Sequence, residues 1–236
     1  FFLENTEIQN SFLKLALKKK IKRTIFLGTS CIYPKHSSTP IKEESLLTGE
    51  LEKTNQCYAI AKIGGIKLCE ALYEDYNLDI VCLMPTNVYG VNDNFDKLNG
   101  HVIPAMISKF ITAKKSNSRK IKLLGTGKPM REFIHSYDLA EAIVKCLNSS
   151  KRDLKKIFKS KMPIINVGTG ENTSIFNLAK MISKIIKFKG KILFDKKSPD
   201  GTFKKDLNSK KIFSMGWRPK IKLAQGLKQV IENRLN

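Results

Sequence analysis

Short apolar runs alternate with helical segments along most of this chain. Buried strands are indicated by apolar runs without polar alternation at 24–28, 79–84, 121–124, 164–167 and 191–194. Helical periodicity covers residues 5–20, 58–76, 102–114, 137–148, 174–187 and 222–235. Strands that alternate with helices of this length predict an α/β fold with a doubly wound parallel sheet.

The charge of the chain is strongly positive, with a formal net charge of +22 at pH 7. The lysines are dispersed and rarely adjoin aromatic residues, whereas a nucleic-acid groove needs stacking surfaces beside its charges. We therefore interpret the lysine content as solvated surface and expect no nucleic-acid partner. A basic nucleic-acid-binding module stays open as an alternative, which steep salt-dependent binding would support. No apolar run approaches the roughly 18 residues of a membrane helix, so no membrane partner is expected.

The cysteines argue for a reducing compartment. There are five of them, an odd number, and no C-x-x-C pair occurs in the sequence. This pattern favours neither a disulfide framework nor a zinc ribbon, so no metal site is predicted. A cytoplasmic protein is the expectation.

A tyrosine and a lysine with helical spacing form the first candidate for chemistry. Tyr58 and Lys62 lie four residues apart on a predicted helix and therefore share a face. Thr29 and Ser30 directly follow the first predicted strand, where hydroxyls lie at the ligand edge of an open sheet. We expect Lys62 to lower the pKa of Tyr58, so that the phenol can protonate an alkoxide formed by hydride transfer.

The glycine pattern of a dinucleotide-binding turn is missing from this sequence. Gly125–Gly127 and Gly168–Gly170 form G-T-G turns, and neither gives G-x-G-x-x-G. We interpret the second turn as a strand-to-helix loop, whose helix is expected to be capped by Asn172 or Thr173.

Several longer segments together resemble one family, GDP-L-fucose synthase, within the extended short-chain dehydrogenases/reductases. The segments that carry the resemblance are FLGTSCIYPK (26–35), TNQCYAIAKIGGIKLCEALY (54–73), MPTNVYGVNDNF (84–95), HVIPA (101–105), GTGKPMREFIH (125–135), INVGTG (165–170) and KSPDGT (197–202). The resemblance runs over nearly the whole chain, and the blocks around SCIYP, MPTN-x-YG, HVIPA and PMREF discriminate it from reductases at large.

The resemblance implies epimerisation at C3 and C5 of GDP-4-keto-6-deoxy-D-mannose, followed by reduction at C4 with NADPH to give GDP-L-fucose. By family match, Cys31 and His101 exchange the protons at C3 and C5, and both can do so near neutral pH. Tyr58 would protonate the C4 oxygen, and Lys62 would hold the ribose and tune Tyr58. Thr29 stands where the family usually has serine and would hydrogen-bond the substrate carbonyl.

The resemblance also implies binding residues, domains and a homodimer that pairs through helices including that of Tyr58. NADP(H)-binding candidates are Leu27, Gly28, Thr29, Ser30, Tyr58, Lys62, Pro85, Thr86, Asn87, Val88 and His101. Substrate-binding candidates are Lys109, Leu124, Arg131, Lys191 and Asp200, where Leu124 replaces a residue that is often aromatic in the family. Residues 1–98 and 136–168 are expected to form the Rossmann-like cofactor domain, and residues 99–135 and 169–236 the substrate domain.

The family's chain opens with a strand and a glycine-rich turn that this sequence does not contain. We therefore expect an N-terminally truncated chain that lacks the first βαβ segment, and such a segment could be separately encoded. Two alternatives follow for function: an inactive or complementation-dependent fragment, and another nucleotide-sugar epimerase or reductase.

Overall fold

The computed structural model describes residues 2–96, 100–158, 161–198 and 200–235. Its helices are α1 (Phe2–Lys18), α2 (Gln56–Tyr76), α3 (Val102–Lys115), α4 (Ser136–Asn148), α5 (Lys151–Phe158), α6 (Ile175–Ile186), α7 (Lys210–Ser214) and α8 (Leu223–Leu235). Its strands are β1 (Thr24–Leu27), β2 (Ile80–Pro85), β3 (Asn87–Tyr89), β4 (Lys120–Leu124), β5 (Met130–His135), β6 (Ile164–Val167), β7 (Asn172–Ser174), β8 (Lys191–Asp195) and β9 (Lys204–Lys205). Within these residues, none of the helices combines the length and apolar character needed to span a membrane.

The chain divides into two compact units. The first comprises Phe1–Thr86, Leu139–Gly170 and Asp206–Arg218, and the second comprises Asn87–Asp138, Glu171–Lys205 and Pro219–Asn236. Each unit has its own cluster of buried apolar side chains. The predicted α/β architecture with parallel strands is confirmed in the first unit, where the sheet order is β1–β2–β6 and both pairings are parallel.

The strand β2 lies at the centre of this sheet, and every one of its residues is buried. Both faces of the strand are therefore covered, as its continuous apolar run predicts. Helix α2 carries a stripe of apolar residues at helical spacing and packs against α1. It ends at Asn77, whose left-handed φ of 53° ends the helical turn. These elements place the amino-terminal turn of α2 in the first unit beside the loop that follows β1.

The second unit contains two sheets, one of four strands and one of two. In one of them β5 pairs with β3 and β9 in parallel and with β7 antiparallel, and in the other β4 pairs with β8 in parallel. Helices α3, α6 and α8 contribute Ile107, Phe110, Ile182 and Leu227 to the buried cluster of this unit. Their apolar faces surround the side chains that the strands turn inward.

Some local expectations are wrong. The strand β5 has no counterpart among the predicted strands, because its four buried residues, 132–135, begin and end with a polar residue and do not form a longer apolar run. The cap of α6 is Ser174, whose hydroxyl accepts the Asn177 N–H, rather than Asn172 or Thr173. Residues 172–174 instead form β7, so the helix begins later than the loop pattern indicates.

The compact units also divide the chain at other residues than those predicted. Residues 87–89 belong to the second unit because they form β3 on β5. Residues 206–218 belong to the first unit because Ile41 N–H donates to Asp206 O at 2.8 Å and Asn208 N–H donates to Ile41 O at 2.8 Å. The Ser209 hydroxyl also accepts the Gly168 N–H. Such contacts join distant parts of the chain and leave no local signal.

Candidate active site

Helix α2 places Tyr58 and Lys62 one turn apart in its first half. The Lys62 Nζ lies 5.9 Å from the centroid of the Tyr58 ring and 5.4 Å from that of Phe26. It donates a hydrogen bond to the main-chain oxygen of Leu27 at 3.2 Å. The lysine is therefore oriented by the end of β1, and its ammonium lies within cation–π distance of two aromatic rings.

The pKa values of this pair are set mainly by burial. Burial raises the pKa of Tyr58 above its usual value, charge on Cys31 raises it further, and a hydrogen bond with the Thr29 side chain opposes both effects. Burial also lowers the pKa of Lys62. The prediction that Lys62 lowers the pKa of Tyr58 is therefore wrong in its net direction. The pKa of Tyr58 moves upward because burial of the phenol is the largest cause of its shift.

The loop after β1 brings a hydroxyl and a thiol to the same place. Residues Ser30–Ile32 form a single turn of 3₁₀ helix, and the Thr29 hydroxyl caps it by accepting the Cys31 N–H at 3.2 Å. The one proton of this hydroxyl is therefore available for the Tyr58 oxygen. The Cys31 Sγ accepts a hydrogen bond from Asn55 Nδ2 at 3.2 Å. Thr29, Cys31 and Tyr58 thus form one cluster with Lys62.

The carboxyl ends of β1 and β2 lie next to each other beside this cluster. Leu27 is in register with Leu83, and the Gly28 N–H donates to the Leu83 oxygen at 2.9 Å. A Cβ on Gly28 would collide with the Met84 side chain, so glycine permits the close approach. Pro85 is the last residue of β2, and Thr86 follows it. Thr86 and Ser30 are both buried. These candidates therefore share the ligand edge of a parallel sheet.

The residues at this edge fit the ribose and nicotinamide end of a dinucleotide. Among the described residues, the Lys62 ammonium has one hydrogen-bond acceptor, the Leu27 oxygen, so two of its three N–H donors can bind ribose hydroxyls. The Tyr58 hydroxyl lies one helical turn away. The donor set is that expected for a neutral sugar and a carbonyl oxygen rather than for a metal ion.

His101 belongs to the second unit, where it directly precedes α3. Its side chain is 80% exposed, and its Nδ1 lies 3.5 Å from the Asp93 Oδ1. The same carboxylate oxygen accepts the Asn94 N–H at 2.8 Å, which fixes its direction. The imidazole is thus accessible to a ligand and lies beside a carboxylate.

Two of the substrate-binding candidates lie close together in the second unit. Arg131 on β5 donates from one guanidinium nitrogen to the main-chain oxygens of Met130 and Thr202, at 2.8 and 2.7 Å. Asp200 accepts hydrogen bonds from the main chain and side chain of Thr126. These bonds lower the pKa of Asp200, and the nearby charge of Arg131 adds to the effect. The arrangement holds an arginine and a carboxylate on adjoining loops.

The remaining candidates are more dispersed. Leu124 ends β4 and is 67% exposed, whereas Lys191 begins β8 and is in register with Lys120 at the other end of the same strand pair. The structure therefore does not bring Lys191 to Leu124. The half-buried Lys109 lies on α3. Asn87 and Val88 lie on β3, where the Asn87 amide donates to the Glu132 main-chain oxygen at 2.8 Å.

Sequence reasoning missed two polar partners of the predicted residues. Asn55 contacts the Cys31 sulfur, and Asp93 lies beside His101. Both stand inside the motif segments, Asn55 immediately before α2 and Asp93 a few residues after β3, at places where an Asn or Asp is ordinarily read as a turn or helix cap. Their positions within the motifs were the available signal.

The chain is similar to known proteins both in sequence and in structure. The model of the NAD dependent epimerase/dehydratase family matches residues 1–168. A probable GDP-L-fucose synthase 1 from Oryza sativa subsp. japonica is 43% identical over 228 residues, which is 96% of this chain and 67% of that protein. The GDP-mannoheptose C4 reductase from Campylobacter jejuni with NADP bound has a TM-score of 0.85 at 33% identity, and the match covers 99% of this chain and 74% of that one. A GDP-L-fucose synthetase from Naegleria fowleri bound to NADP has a TM-score of 0.87 at 26% identity, and the match covers 100% of this chain and 73% of that one.

Proposed function

Because the chain belongs to the NAD dependent epimerase/dehydratase family, we propose that it acts as a GDP-L-fucose synthase. It would invert C3 and C5 of GDP-4-keto-6-deoxy-D-mannose and reduce C4 to give GDP-L-fucose. One observation carries this proposal: a cysteine lies in the same cluster as the Thr29–Tyr58–Lys62 set of a reductase. A reductase alone needs no thiol there, whereas epimerisation beside a ketone needs a proton-transfer group.

In the reduction, Tyr58 is the proton donor to the C4 oxygen. Burial keeps its phenol protonated through the neutral range, so the proton is present when negative charge develops on that oxygen. Thr29 donates a hydrogen bond that stabilises the phenolate left after the transfer. Lys62 lies beside the ring and provides positive charge in the same region.

NADPH fits the cofactor role at the edge formed by the ends of β1 and β2. When bound, it supplies the hydride for C4. Lys62 would bind the ribose hydroxyls with its remaining donors, and Leu27, Gly28, Ser30, Pro85 and Thr86 would line the nicotinamide end. By the resemblance, Asn87, Val88 and His101 are further candidates for binding the cofactor.

In the epimerisation, Cys31 and His101 exchange protons at C3 and C5. The hydrogens at these carbons are acidic because the C4 ketone stabilises the resulting enolate. Inversion requires that one group removes a proton and another returns it on the opposite face of the sugar. We assign one of these proton transfers to Cys31, whose sulfur accepts a hydrogen bond from Asn55, and the other to the exposed His101, which lies beside the Asp93 carboxylate.

The second unit would bind the GDP part of the substrate. Arg131 is suited to bidentate contact with a diphosphate, and its neighbours already fix the guanidinium. Lys109, Lys191 and Asp200 are the further polar candidates. Leu124 would provide an apolar contact where related enzymes often present an aromatic ring.

A second candidate is reduction of another GDP-linked keto-sugar. The observation that favours it is the exposed Leu124, because an aliphatic residue in place of a ring changes the surface offered to the ligand. The similarity to the Campylobacter jejuni reductase fits the same alternative. Product analysis with the GDP-keto-sugars distinguishes the two.

A homodimer and a cytoplasmic location complete the proposal. Helix α1 exposes Ile8, Phe12 and Leu15, spaced so that they share one side of the helix. A second copy of this chain would cover such a row. The free cysteines fit a reducing compartment.

The test is to incubate the purified protein with GDP-4-keto-6-deoxy-D-mannose in D₂O, with and without NADPH. We expect deuterium at C3 and C5 without NADPH, and GDP-L-fucose with it. Tyr58→Phe should abolish reduction and retain exchange, because only the C4 proton donor is lost. Cys31→Ser should reduce exchange by at least about a hundredfold, since a poorly acidic hydroxyl replaces the thiol.

Matched controls are available on the same helix. Tyr76 is exposed at the end of α2, and Cys57 is exposed near its start. Tyr76→Phe and Cys57→Ser should leave both reactions unchanged. Equal loss of exchange and reduction in Tyr58→Phe would contradict the separate roles, and normal exchange in Cys31→Ser would remove Cys31 from the mechanism.

A further inference from the structure

The side chain of Asn55 does not make the hydrogen bond that its position predicts. Asn55 is the residue before α2, a place where asparagine commonly accepts a hydrogen bond from the first turn of the helix. Here the side chain makes no such bond. Its Nδ2 instead donates to the Cys31 Sγ at 3.2 Å, across 24 residues of sequence.

The other end of the same amide is also informative. The Asn55 Oδ1 is buried and has no hydrogen-bond partner among the described residues. Native proteins leave few buried polar atoms unsatisfied, so an amide held in this way has a role that the fold alone does not explain. The direct contact of its donor end with Cys31 indicates what that role is.

We propose that Asn55 is a positioning residue for proton transfer by Cys31. This inference rests on the proposed epimerase function. The N–H donor fixes the direction of the sulfur, so that the group is oriented for proton transfer. The free Oδ1 would then accept a hydroxyl of the bound sugar and align it with the sulfur.

The surroundings of Cys31 fit this role. The amino-terminal turn of α2, which favours negative charge, packs against the turn Ser30–Ile32. Tyr58 on α2 is the titratable neighbour coupled to Cys31, and it is neutral over the working range. The Thr29 hydroxyl oxygen already accepts a hydrogen bond from the main-chain N–H of Cys31. The Asn55 amide is therefore the side-chain donor that the structure aims at the sulfur.

The decisive variant is Asn55→Asp. Aspartate has the same shape and is an equally good helix cap, but it lacks the N–H donor. We expect deuterium exchange at C3 and C5 to fall by at least about tenfold, with reduction of already epimerised keto-sugar within about twofold of wild type. Asn55→Ala should lose exchange similarly, and Asn55→Gln, which retains the amide, should recover part of it. Gln56→Ala, an exposed amide next in sequence, is the control and should change neither rate.

A second readout needs no substrate. In a Cys57→Ser background, Cys31 is the partly exposed cysteine, since Cys69, Cys82 and Cys146 are buried. Iodoacetamide reacts with the thiolate, and Asn55→Asp replaces the N–H donor at the sulfur with a carboxylate, so alkylation of Cys31 should slow about tenfold at neutral pH. Unchanged alkylation and exchange in Asn55→Asp would overturn the inference. Absence of both reactions in the wild-type protein would contradict the proposed function instead, because the alkylation result stands without turnover.

Discussion

At the residue scale, the cluster at the end of β1 joins a thiol to a phenol. Charge on Cys31 raises the pKa of Tyr58, second only to burial. When the thiol is ionised and ready to remove a proton, Tyr58 is therefore held in its protonated form. The two groups can then act in sequence, since ionised Cys31, the base in the epimerisation, keeps Tyr58, the acid in the reduction, protonated.

This coupling predicts shifts of the alkaline limit of reduction. Tyr58 donates a proton only when protonated, so reduction is lost as pH rises through its raised pKa, above about 10. Cys31→Ser removes a charge that raises this pKa, and the limit should move to lower pH. Thr29→Val removes the hydrogen bond that lowers it, and the limit should move to higher pH. NADPH oxidation with already epimerised keto-sugar, measured against pH, tests both, and shifts in the same direction would contradict the coupling.

At the element scale, α2 is positioned by a close contact with α1 and β1. Gly65 lies against Phe26 and Gln9, and the Gln9 amide donates to the Ala61 main-chain oxygen at 2.8 Å. This contact lies one turn beyond Lys62. The absence of a side chain at Gly65 thus allows the helix to approach the strand whose end carries the cluster.

Adding a single methyl group should separate these elements. A Cβ on Gly65 would lie 2.5 Å from both Phe26 Cζ and Gln9 Oε1, so Gly65→Ala should destabilise the protein by about 1–3 kcal/mol through overpacking. The neighbouring Gly64 meets nothing within 4 Å, and Gly64→Ala should be neutral or stabilising by up to about 1 kcal/mol. Urea unfolding measures both. Equal effects of the two substitutions would show that the contact is not tight.

At the scale of the whole molecule, the proposed homodimer accounts for exposed apolar residues on α1. The side chains of Ile8, Phe12 and Leu15 are 70%, 53% and 52% exposed. Apolar side chains in one row mark an interaction site more often than scattered ones do. The same helix packs on α2, so a partner on α1 would stabilise the support of Tyr58 and Lys62.

A charge introduced into this row should separate the copies. Phe12→Asp is expected to shift the protein from dimer to monomer in sedimentation velocity, because an aspartate would be desolvated in the contact. Phe203 is also exposed but lies outside α1, so Phe203→Asp is the matched control and should remain dimeric. A wild-type protein that sediments as a monomer at micromolar concentration would refute the proposal.

The sequence by itself determined the order of the main elements and the reactive groups of the cluster. Hydrophobic periodicity is local, so it located α2 and β2 within two residues at each end, and four-residue spacing put Tyr58 and Lys62 on one face. The motif segments identified Thr29 and Cys31 as residues of the same site.

Only the tertiary structure decided how these groups are tuned. The raised pKa of Tyr58 depends on burial, the donor for Cys31 comes from Asn55, and Asp206–Arg218 joins the first unit through main-chain contacts with Ile41. Each effect arises between residues far apart in sequence or from the loss of surrounding water. The spacing of neighbouring residues does not encode long-range contacts or burial, because these exist only once the chain has folded.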